Sequence, residues 1–299
     1  MVRVRVPATI ANLGPVFDAL GIAVSLYNTV ELVPSSETRV EVHGEGEGRL
    51  PDDARNLVHR AAAVVAAECG RPAVFQIRCR NDIPLARGLG SSAAAIVGGV
   101  VAANVAFDRP LDDGVLLRLA VSMEGHPDNV APALLGGAVV CGLSAGDVVT
   151  ARLTPAWTAA FVIAVPSFTL STEEARRRLP LSVPFSDAAG NVARTAALVV
   201  SLLTGRTDLL GYAMGDALHQ PYRSALIPGM ESVFRAARRA GAYGAALAGS
   251  GPSILALAPP DRAEAVGEAM IQGFRDGGAS ARALTLRVDE TGAAVTEEE

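Results

Sequence analysis

One glycine- and serine-containing stretch of this 299-residue sequence has residue types that directly suggest chemistry. Glycines can adopt positive φ angles and let a ligand approach the backbone closely, and serines are common where a helix begins. The unpaired N–H groups at such a helix N-terminus attract phosphate. The stretch therefore predicts a phosphate-binding loop, with an ordinary strand–turn–helix junction as the alternative. It consists of Pro84, Leu85, Ala86, Arg87, Gly88, Leu89, Gly90, Ser91, Ser92, Ala93 and Ala94.

Three further segments combine polar residues with glycine or proline. Residues 12–18 lie in a connection between two predicted strands that is long for a hairpin, as binding loops often are. Residues 124–132 read Glu-Gly-His-Pro-Asp-Asn-Val-Ala-Pro, and residues 248–253 read Ala-Gly-Ser-Gly-Pro-Ser. Each also has a plain structural interpretation. Asp18 could form a turn, Asn129 could cap a helix, Glu124 could be a solvated carboxylate, and residues 248–253 could be a tight turn.

Together, and in this order, these segments resemble the motifs of the GHMP small-molecule kinases and, within that family, of the homoserine kinases. Residues 84–94 are similar to the phosphate-binding motif, residues 125–132 to the homoserine kinase signature, and residues 12–18 and 248–253 to the first and third motifs. The resemblance extends from residue 4 to about residue 258.

Two residues near the first motif depart from the family pattern. Ile10 stands where serine is usual, and Val16 stands where glycine is usual. A β-branched residue resists positive φ. The resemblance therefore does not determine the conformation of the first loop at Val16, whereas it still assigns the roles of Asn12 and Asp18.

The resemblance implies an enzyme that transfers the γ-phosphoryl group of ATP to the side-chain hydroxyl of L-homoserine, in threonine biosynthesis. Phosphoryl transfer is mainly positioning and charge neutralisation, so it needs a phosphate cradle, Mg²⁺ and an oriented hydroxyl. Residues 84–94 would bind ATP, with Asn56 either beside the adenine or only capping a helix. A hydroxyl and a carboxylate can hold Mg²⁺ with its waters. The resemblance gives these metal roles to Ser92 (or Ser91) and Glu124.

The resemblance also implies an amino acid site. Asn12 and Asp18 would lie near the ammonium and hydroxyl of homoserine, with His126 and Asn129 nearby. Asp18 and His126 are the only reasonable candidates for a general base. In homoserine kinases, which are similar in lacking a clear catalytic carboxylate, the hydroxyl proton is thought to pass to the phosphate itself.

Two arginines would hold the substrate carboxylate. Arg176 and Arg223 are assigned to this clamp by the resemblance, because bidentate arginine–carboxylate pairing supplies orientation as well as affinity. Thr172 lies four residues before Arg176 and therefore on the same helical face. It would approach the metal or the transferred phosphoryl group. The predicted catalytic residues are thus Glu124, Ser92, Thr172 and Arg176.

The length and the order of predicted elements favour a two-domain α+β protein. We expect an N-terminal domain over residues 1–153, which contains the phosphate loop, and a C-terminal domain over residues 154–299. The resemblance implies a fold like domain 2 of ribosomal protein S5 for the first and a ferredoxin-like fold for the second. The acidic residues 291–299 are expected to be frayed.

Composition narrows the partners. The 26 basic and 31 acidic residues give a net charge of −5, without a basic block, which argues against nucleic acid and anionic membrane surfaces. The three cysteines form no CxxC pair, and buried free thiols in a reducing cytoplasm are expected. A small-molecule substrate is therefore the expected partner, and a homodimer is compatible with the sequence.

Two other functions remain open at this point. One is a GHMP kinase for another small alcohol, such as mevalonate or a sugar. The other is a non-catalytic sensor that retains the nucleotide pocket. The residues at 126–129 and the arginine pair argue against the first, and the intact serine pair with Glu124 argues against the second.

Overall fold

The computed structural model describes residues 1–298, and its first part is built on a seven-stranded sheet. Its strands are ordered β11-β1-β2-β4-β3, with β5 beside β2 and β6 beside β5, and all pairs are antiparallel except β3 with β4. The strands are β1 (Val2–Ala11), β2 (Leu20–Pro34), β3 (Arg39–Gly44), β4 (Phe75–Asn81), β5 (Ala138–Ser144), β6 (Asp147–Leu153) and β11 (Ala294–Glu298).

A helix without charged residues packs against this sheet. The helices of this part are α1 (Leu57–Glu68), α2 (Ser91–Ala106), α3 (Asp113–Glu124) and α4 (Pro127–Leu135). Helix α2 lies between the sheet and α1 because two glycines allow close approach. A Cβ at Gly98 would lie 2.7 Å from Val30, and one at Gly99 would lie 2.4 Å from the Val58 carbonyl oxygen. Its burial fixes the direction in which its N-terminus points.

The second sheet has four antiparallel strands in the order β10-β7-β9-β8. In strand β7 every residue is buried, and alternate side chains enter different cores. Phe161 and Ile163 join the core that includes the first sheet, whereas Val162 and Ala164 join the core under α9 and α10. The elements are β7 (Ala160–Pro166), α5 (Thr172–Arg177), α6 (Phe185–Thr204), α7 (Leu210–Ala213), α8 (Gln220–Arg223), α9 (Met230–Arg239), β8 (Gly244–Leu247), β9 (Ile254–Ala258), α10 (Ala263–Asp276) and β10 (Ala281–Leu286).

The expectation of a frayed acidic tail is wrong for its described part. Strand β11 pairs with β1, and Glu297 forms an ion pair with Arg3. Glu297 thus meets a basic side chain on the neighbouring strand and Glu298 pairs with Arg109, while Glu299 lies outside the described residues. The predicted division into residues 1–153 and 154–299 stays a prediction, and strand β11 crosses it. Within residues 1–298 no helix is long and apolar enough to cross a membrane.

Candidate active site

A cavity of about 470 Å³ lies where the loops of the two sheets meet, within the size range of small-molecule sites. One end is largely apolar, with Val42, Leu50, Leu57 and Leu85 in its wall. Most predicted site residues line the cavity: Asn12, Asn56, residues 84–92, Glu124, His126, Asn129, Thr172, Arg176 and Arg223. Three predicted residues do not line it. Asp18 contacts Arg176 at its edge, and the side chains of Ala93 and Ala94, in the first turns of α2, are fully buried.

The predicted phosphate loop has the backbone that its glycines allow. Ala86, Gly88 and Gly90 have φ angles of 52°, 71° and 70°. Gly90 is the N-cap residue of α2 and has no side chain to accept from the first-turn N–H groups. The N-terminus of α2 therefore presents donors and a positive dipole end toward the cavity.

Neighbouring segments hold this loop tightly. A Cβ at Gly88 would lie 2.0 Å from the Ala248 carbonyl oxygen, and one at Gly90 would lie 2.0 Å from Thr9 Oγ1. The Arg87 guanidinium donates to the carbonyl oxygens of Leu85, Pro166 and Ser167 at 2.8–3.0 Å. Arg87 thus ties the loop to the second sheet through its side chain.

A serine and a glutamate meet beside the loop. Ser92 Oγ donates to Glu124 Oε1 at 2.6 Å, which joins the first turn of α2 to the last residue of α3. Burial raises the pKa of Glu124, although the hydrogen bond from Ser92 opposes the shift. A cation at this position would stabilise the carboxylate.

His126 and Asn129 stand at the start of α4. His126 Nδ1 lies 2.6 Å from Asp128 Oδ1, and Asp128 is fully buried. Burial alone would lower the pKa of His126, but the hydrogen bond and charge of Asp128 outweigh it, so the pKa is raised. Asn129 lies inside the helix, so the cap interpretation is wrong for it. Its Oδ1 accepts from Thr9 Oγ1 at 2.9 Å.

The first loop accommodates Val16 without strain. Its positive φ angles fall at Asn12 (57°), Gly14 (65°) and Asp18 (53°), whereas Val16 is buried in the core. Asn12 Oδ1 accepts from the Asp18 N–H at 2.8 Å. The departure at Val16 therefore leaves Asn12 and Asp18 in one compact loop.

Asp18 and Arg176 form a bidentate ion pair. The two guanidinium nitrogens Nη1 and Nη2 of Arg176 donate to Asp18 Oδ2 and Oδ1 at 2.9 and 2.8 Å. The hydrogen bond and charge of Asp18 raise the pKa of Arg176. Two residues predicted to bind opposite charges of the substrate are thus paired with each other.

Arg223 is 1% exposed and lines the cavity. It donates to His219 Nδ1 at 3.1 Å and to the carbonyl oxygens of Gly249 and Ala175 at 3.3 and 3.5 Å. Among residues 1–298 no carboxylate forms an ion pair with it. Burial, together with the charge of Arg176, lowers its pKa to about 10. A buried guanidinium without a carboxylate partner is costly and favours an anion in the cavity.

The last two predicted residues are Thr172 and Asn56. Thr172 Oγ1 lies 3.4 Å from Ser250 Oγ of the third glycine-rich segment. Asn56 is the N-cap of α1, with Oδ1 accepting from the Val58 N–H and Nδ2 donating to the Pro51 carbonyl oxygen. Asn56 therefore caps a helix and also lines the apolar end of the cavity.

Comparisons with known proteins show the family of this chain. The family models described as GHMP kinases N terminal domain and GHMP kinases C terminal match residues 56–137 and 198–276. A homoserine kinase from Carboxydothermus hydrogenoformans is 48% identical over 98% of this chain and 96% of its own length. The chain belongs to the GHMP kinase family. It has that family's two-domain fold, a mixture of helices and strands, as the resemblance predicted.

Solved structures of this family show the same architecture. A homoserine kinase from Cytophaga hutchinsonii has a TM-score of 0.90 and 34% identity, with 98% of this chain and 96% of that chain covered. The L. major mevalonate kinase, crystallised with R-mevalonate, has a TM-score of 0.71 and 16% identity, with 97% and 96% covered. The second likeness concerns the fold alone.

Sequence reasoning left several residues of the site unassigned. His219 contacts Arg223, and Asp216 Oδ2 lies 3.6 Å from His219 Nε2. The centroid of the Phe17 ring lies 5.3 Å from the guanidinium carbons of Arg176 and Arg223. The sequence offered a signal for His219, which stands four residues before Arg223. Phe17 lies within residues 12–18, which resemble the first motif, but no role was assigned to it because Arg176 and Arg223 come from distant segments.

Proposed function

We propose that this protein is a homoserine kinase, which transfers the γ-phosphoryl group of ATP to the side-chain hydroxyl of L-homoserine. The observation that carries the proposal is that one cavity joins the N-terminus of α2 to the buried guanidinium of Arg223. The first suits a triphosphate and the second suits an amino acid carboxylate. The homoserine kinases among the relatives support this substrate.

ATP fits the loop and the apolar end of the cavity. Residues 88–92 would bind its phosphates through backbone N–H groups, because Gly90 leaves the first turn of α2 without a side-chain cap. The adenine would enter the apolar part near Leu57 and Asn56. The buried alanines at 93 and 94 would contribute to ATP binding only by holding the helix in place.

Mg²⁺ fits the pair of Ser92 and Glu124. Within residues 1–298 no group of three or more His, Cys, Asp or Glu side chains could hold a metal ion. The remaining ligands would therefore be water and phosphate oxygens. Mg²⁺ commonly uses one or two protein ligands in this way. When bound, the ion neutralises charge on the phosphates. Burial raises the pKa of Glu124, and a bound cation would stabilise its carboxylate.

The amino acid fits the opposite end of the site. Its carboxylate would bind Arg223 and Arg176, and its ammonium would bind Asp18, with the Asn12 and Asn129 amides nearby. Insertion of the zwitterion would thus replace the ion pair between Asp18 and Arg176. Both original charges would keep a partner, and the hydroxyl would face the phosphate loop.

No side chain is assigned as a general base. The raised pKa of His126 gives it more positive charge near neutral pH than a free histidine carries, which suits charge stabilisation better than proton removal. The hydroxyl proton would move to the transferred phosphoryl group, since a loose transition state needs little help from a base. Thr172 would orient that group.

ADP release from purified protein with Mg-ATP tests the function. Homoserine, mevalonate and galactose are supplied separately, and we expect turnover with homoserine alone. Turnover with mevalonate or galactose but not homoserine would indicate a kinase for another alcohol. ATP binding without turnover on any substrate would indicate a sensor. The cytoplasmic location, the homodimer, and the absence of nucleic acid and membrane partners remain predictions.

A further inference from the structure

His219 is a fully buried histidine to which the proposed reaction gives no role. It precedes α8 and lies between the first loop and Arg223. The centroid of its ring lies 5.4 Å from that of the Phe17 ring, with the two planes inclined at 35°, and its two nitrogens contact different segments. A buried histidine with both nitrogens engaged holds its neighbours in a fixed arrangement.

The neighbours of His219 determine which nitrogen carries the proton. Nε2 lies 2.7 Å from the Gly14 carbonyl oxygen, which can only accept, so Nε2 donates. Nδ1 lies 3.1 Å from Arg223 Nη1, which can only donate, so Nδ1 accepts. This is a neutral imidazole, and burial lowers the pKa of His219 in agreement with it.

The backbone of His219 is fixed as well. Asp216 Oδ2 accepts from the N–H groups of His219 and Gln220 at 2.8 and 2.6 Å, and Oδ1 accepts from that of Leu218 at 2.9 Å. These bonds fix the backbone position from which the His219 imidazole extends. The ring therefore has little freedom to leave Arg223.

The hydrogen bond to His219 is the shortest one that Arg223 makes to the protein, compared with 3.3 and 3.5 Å to the two carbonyl oxygens. An arginine side chain has many rotamers and loses conformational entropy when it is ordered. A fixed acceptor at one nitrogen orients the planar guanidinium before the substrate arrives. It also couples the arginine to the loop of Asn12 and Asp18 through Gly14.

We propose that His219 is a positioning residue for amino acid recognition, which orients Arg223 through Nδ1 and ties it to the first loop through Nε2–H. The inference rests on the proposed function, because it treats Arg223 as the carboxylate-binding group. It concerns only the amino acid and not the nucleotide. The loss of His219 should therefore raise the KM for homoserine and leave the KM for ATP unchanged.

Two substitutions separate the two nitrogens of His219. In His219→Asn the amide oxygen can take the place of Nδ1, so the acceptor for Arg223 is retained and the bond to Gly14 is lost. In His219→Gln the longer amide can reach the position of Nε2, so the bond to Gly14 is retained and the acceptor is lost. We expect a homoserine KM increase of about tenfold in His219→Gln and about threefold or less in His219→Asn. His43→Gln, on an exposed strand, is the matched control.

Initial rates are measured with each substrate varied, and thermal melts check folding. Equal KM increases in both variants, or ATP KM rising in step with homoserine KM, would overturn the proposal. If either variant fails to fold, Asp216→Asn replaces it, because it leaves the imidazole in place and weakens the bonds that hold the His219 backbone, together with the contact to Asn191. Homoserine KM must then rise selectively, and an unchanged value contradicts the role. Failure of the wild-type protein to phosphorylate homoserine would instead refute the proposed function.

Discussion

Asp18 and Arg176, 158 residues apart in the chain, pair through two hydrogen bonds of 2.8 and 2.9 Å at the edge of the cavity. In the proposed function each binds one charge of the amino acid. Without substrate they neutralise each other, so neither stands as an isolated charge. A zwitterion can replace both halves of this pair, whereas a substrate with one charge leaves the other half unpaired.

This relationship predicts discrimination against substrates with a single charge. We expect 4-hydroxybutanoate, which lacks the ammonium group, to have a kcat/KM about 100-fold or more below that of homoserine. An unpaired charge costs about 2–5 kcal/mol, and each 1.4 kcal/mol is a factor of ten. In Asp18→Asn homoserine should lose most of its advantage while 4-hydroxybutanoate changes little. Asp261→Asn, at an exposed aspartate, is the control, and an unchanged ratio in Asp18→Asn would exclude the exchange.

Local sequence predicted the backbone conformation of residues 84–94 better than the contacts between distant segments. Positive φ and the start of a helix depend on neighbouring residues, so Gly88, Gly90 and the serines after them indicate a loop and a helix start by themselves, although Gly90 and not a serine is the N-cap. The pairing of Asp18 with Arg176 depends on how two distant segments pack. Sequence reasoning assigned both residues to the substrate only through the family resemblance.

Two elements were incompletely predicted for identifiable reasons. Asn129 was offered as a possible helix cap, yet α4 begins two residues earlier at Pro127, whose missing N–H costs nothing in the opening turn. The acidic composition of residues 294–298 concealed strand β11. Its partner β1 supplies Arg3 to Glu297, and this pairing cannot be read from the tail alone.

Arg223→Met should separate function from stability. The substitution approximately keeps the volume, and removing a buried charge that has no ion-pair partner in the described part of the chain offsets the loss of its hydrogen bonds to His219, Gly249 and Ala175. We expect the KM for homoserine to rise about 100-fold, the KM for ATP to change less than about twofold, and Tm to stay within about 3 °C. Arg177→Met is the control, since Arg177 is exposed and pairs only with Glu173. Equal increases of both KM values would remove Arg223 from the carboxylate site.

Glu124→Gln should reduce turnover about 100-fold with the fold intact. The amide keeps the size and can still contact Ser92, but it loses the negative charge that would bind Mg²⁺. The Mg²⁺ concentration for half-maximal rate should rise about tenfold or more. Steady-state rates across a Mg²⁺ titration measure both effects, with Glu173→Gln as an exposed control. An unchanged rate at limiting Mg²⁺ would show that Glu124 does not hold the metal.

The raised pKa of Glu124 also predicts how stability depends on pH. Between the ordinary value near 4.5 and the raised value, the folded protein binds more protons than the unfolded chain. The contribution of Glu124 to the free energy of unfolding therefore declines as pH rises through this window. We expect wild type to lose stability relative to Glu124→Gln over that range in metal-free buffer, as measured by urea unfolding. Added Mg²⁺ should reduce the difference in stability between the two proteins. A wild type that becomes more stable relative to the variant as pH rises would contradict the raised pKa of Glu124.

Gly90→Ala and Gly48→Ala separate backbone strain from close packing in the phosphate loop. Their φ angles are similar, 70° and 67°, but a Cβ at Gly48 meets nothing within 4 Å, whereas one at Gly90 would lie 2.0 Å from Thr9 Oγ1. Gly48→Ala should cost about 1 kcal/mol from the positive φ alone. Gly90→Ala must also displace Thr9 or the start of α2, so we expect a further loss of about 2 kcal/mol in urea unfolding. Calorimetry should show weaker ADP binding for Gly90→Ala only; equal affinities in the two variants would mean that the start of α2 does not bind the phosphates.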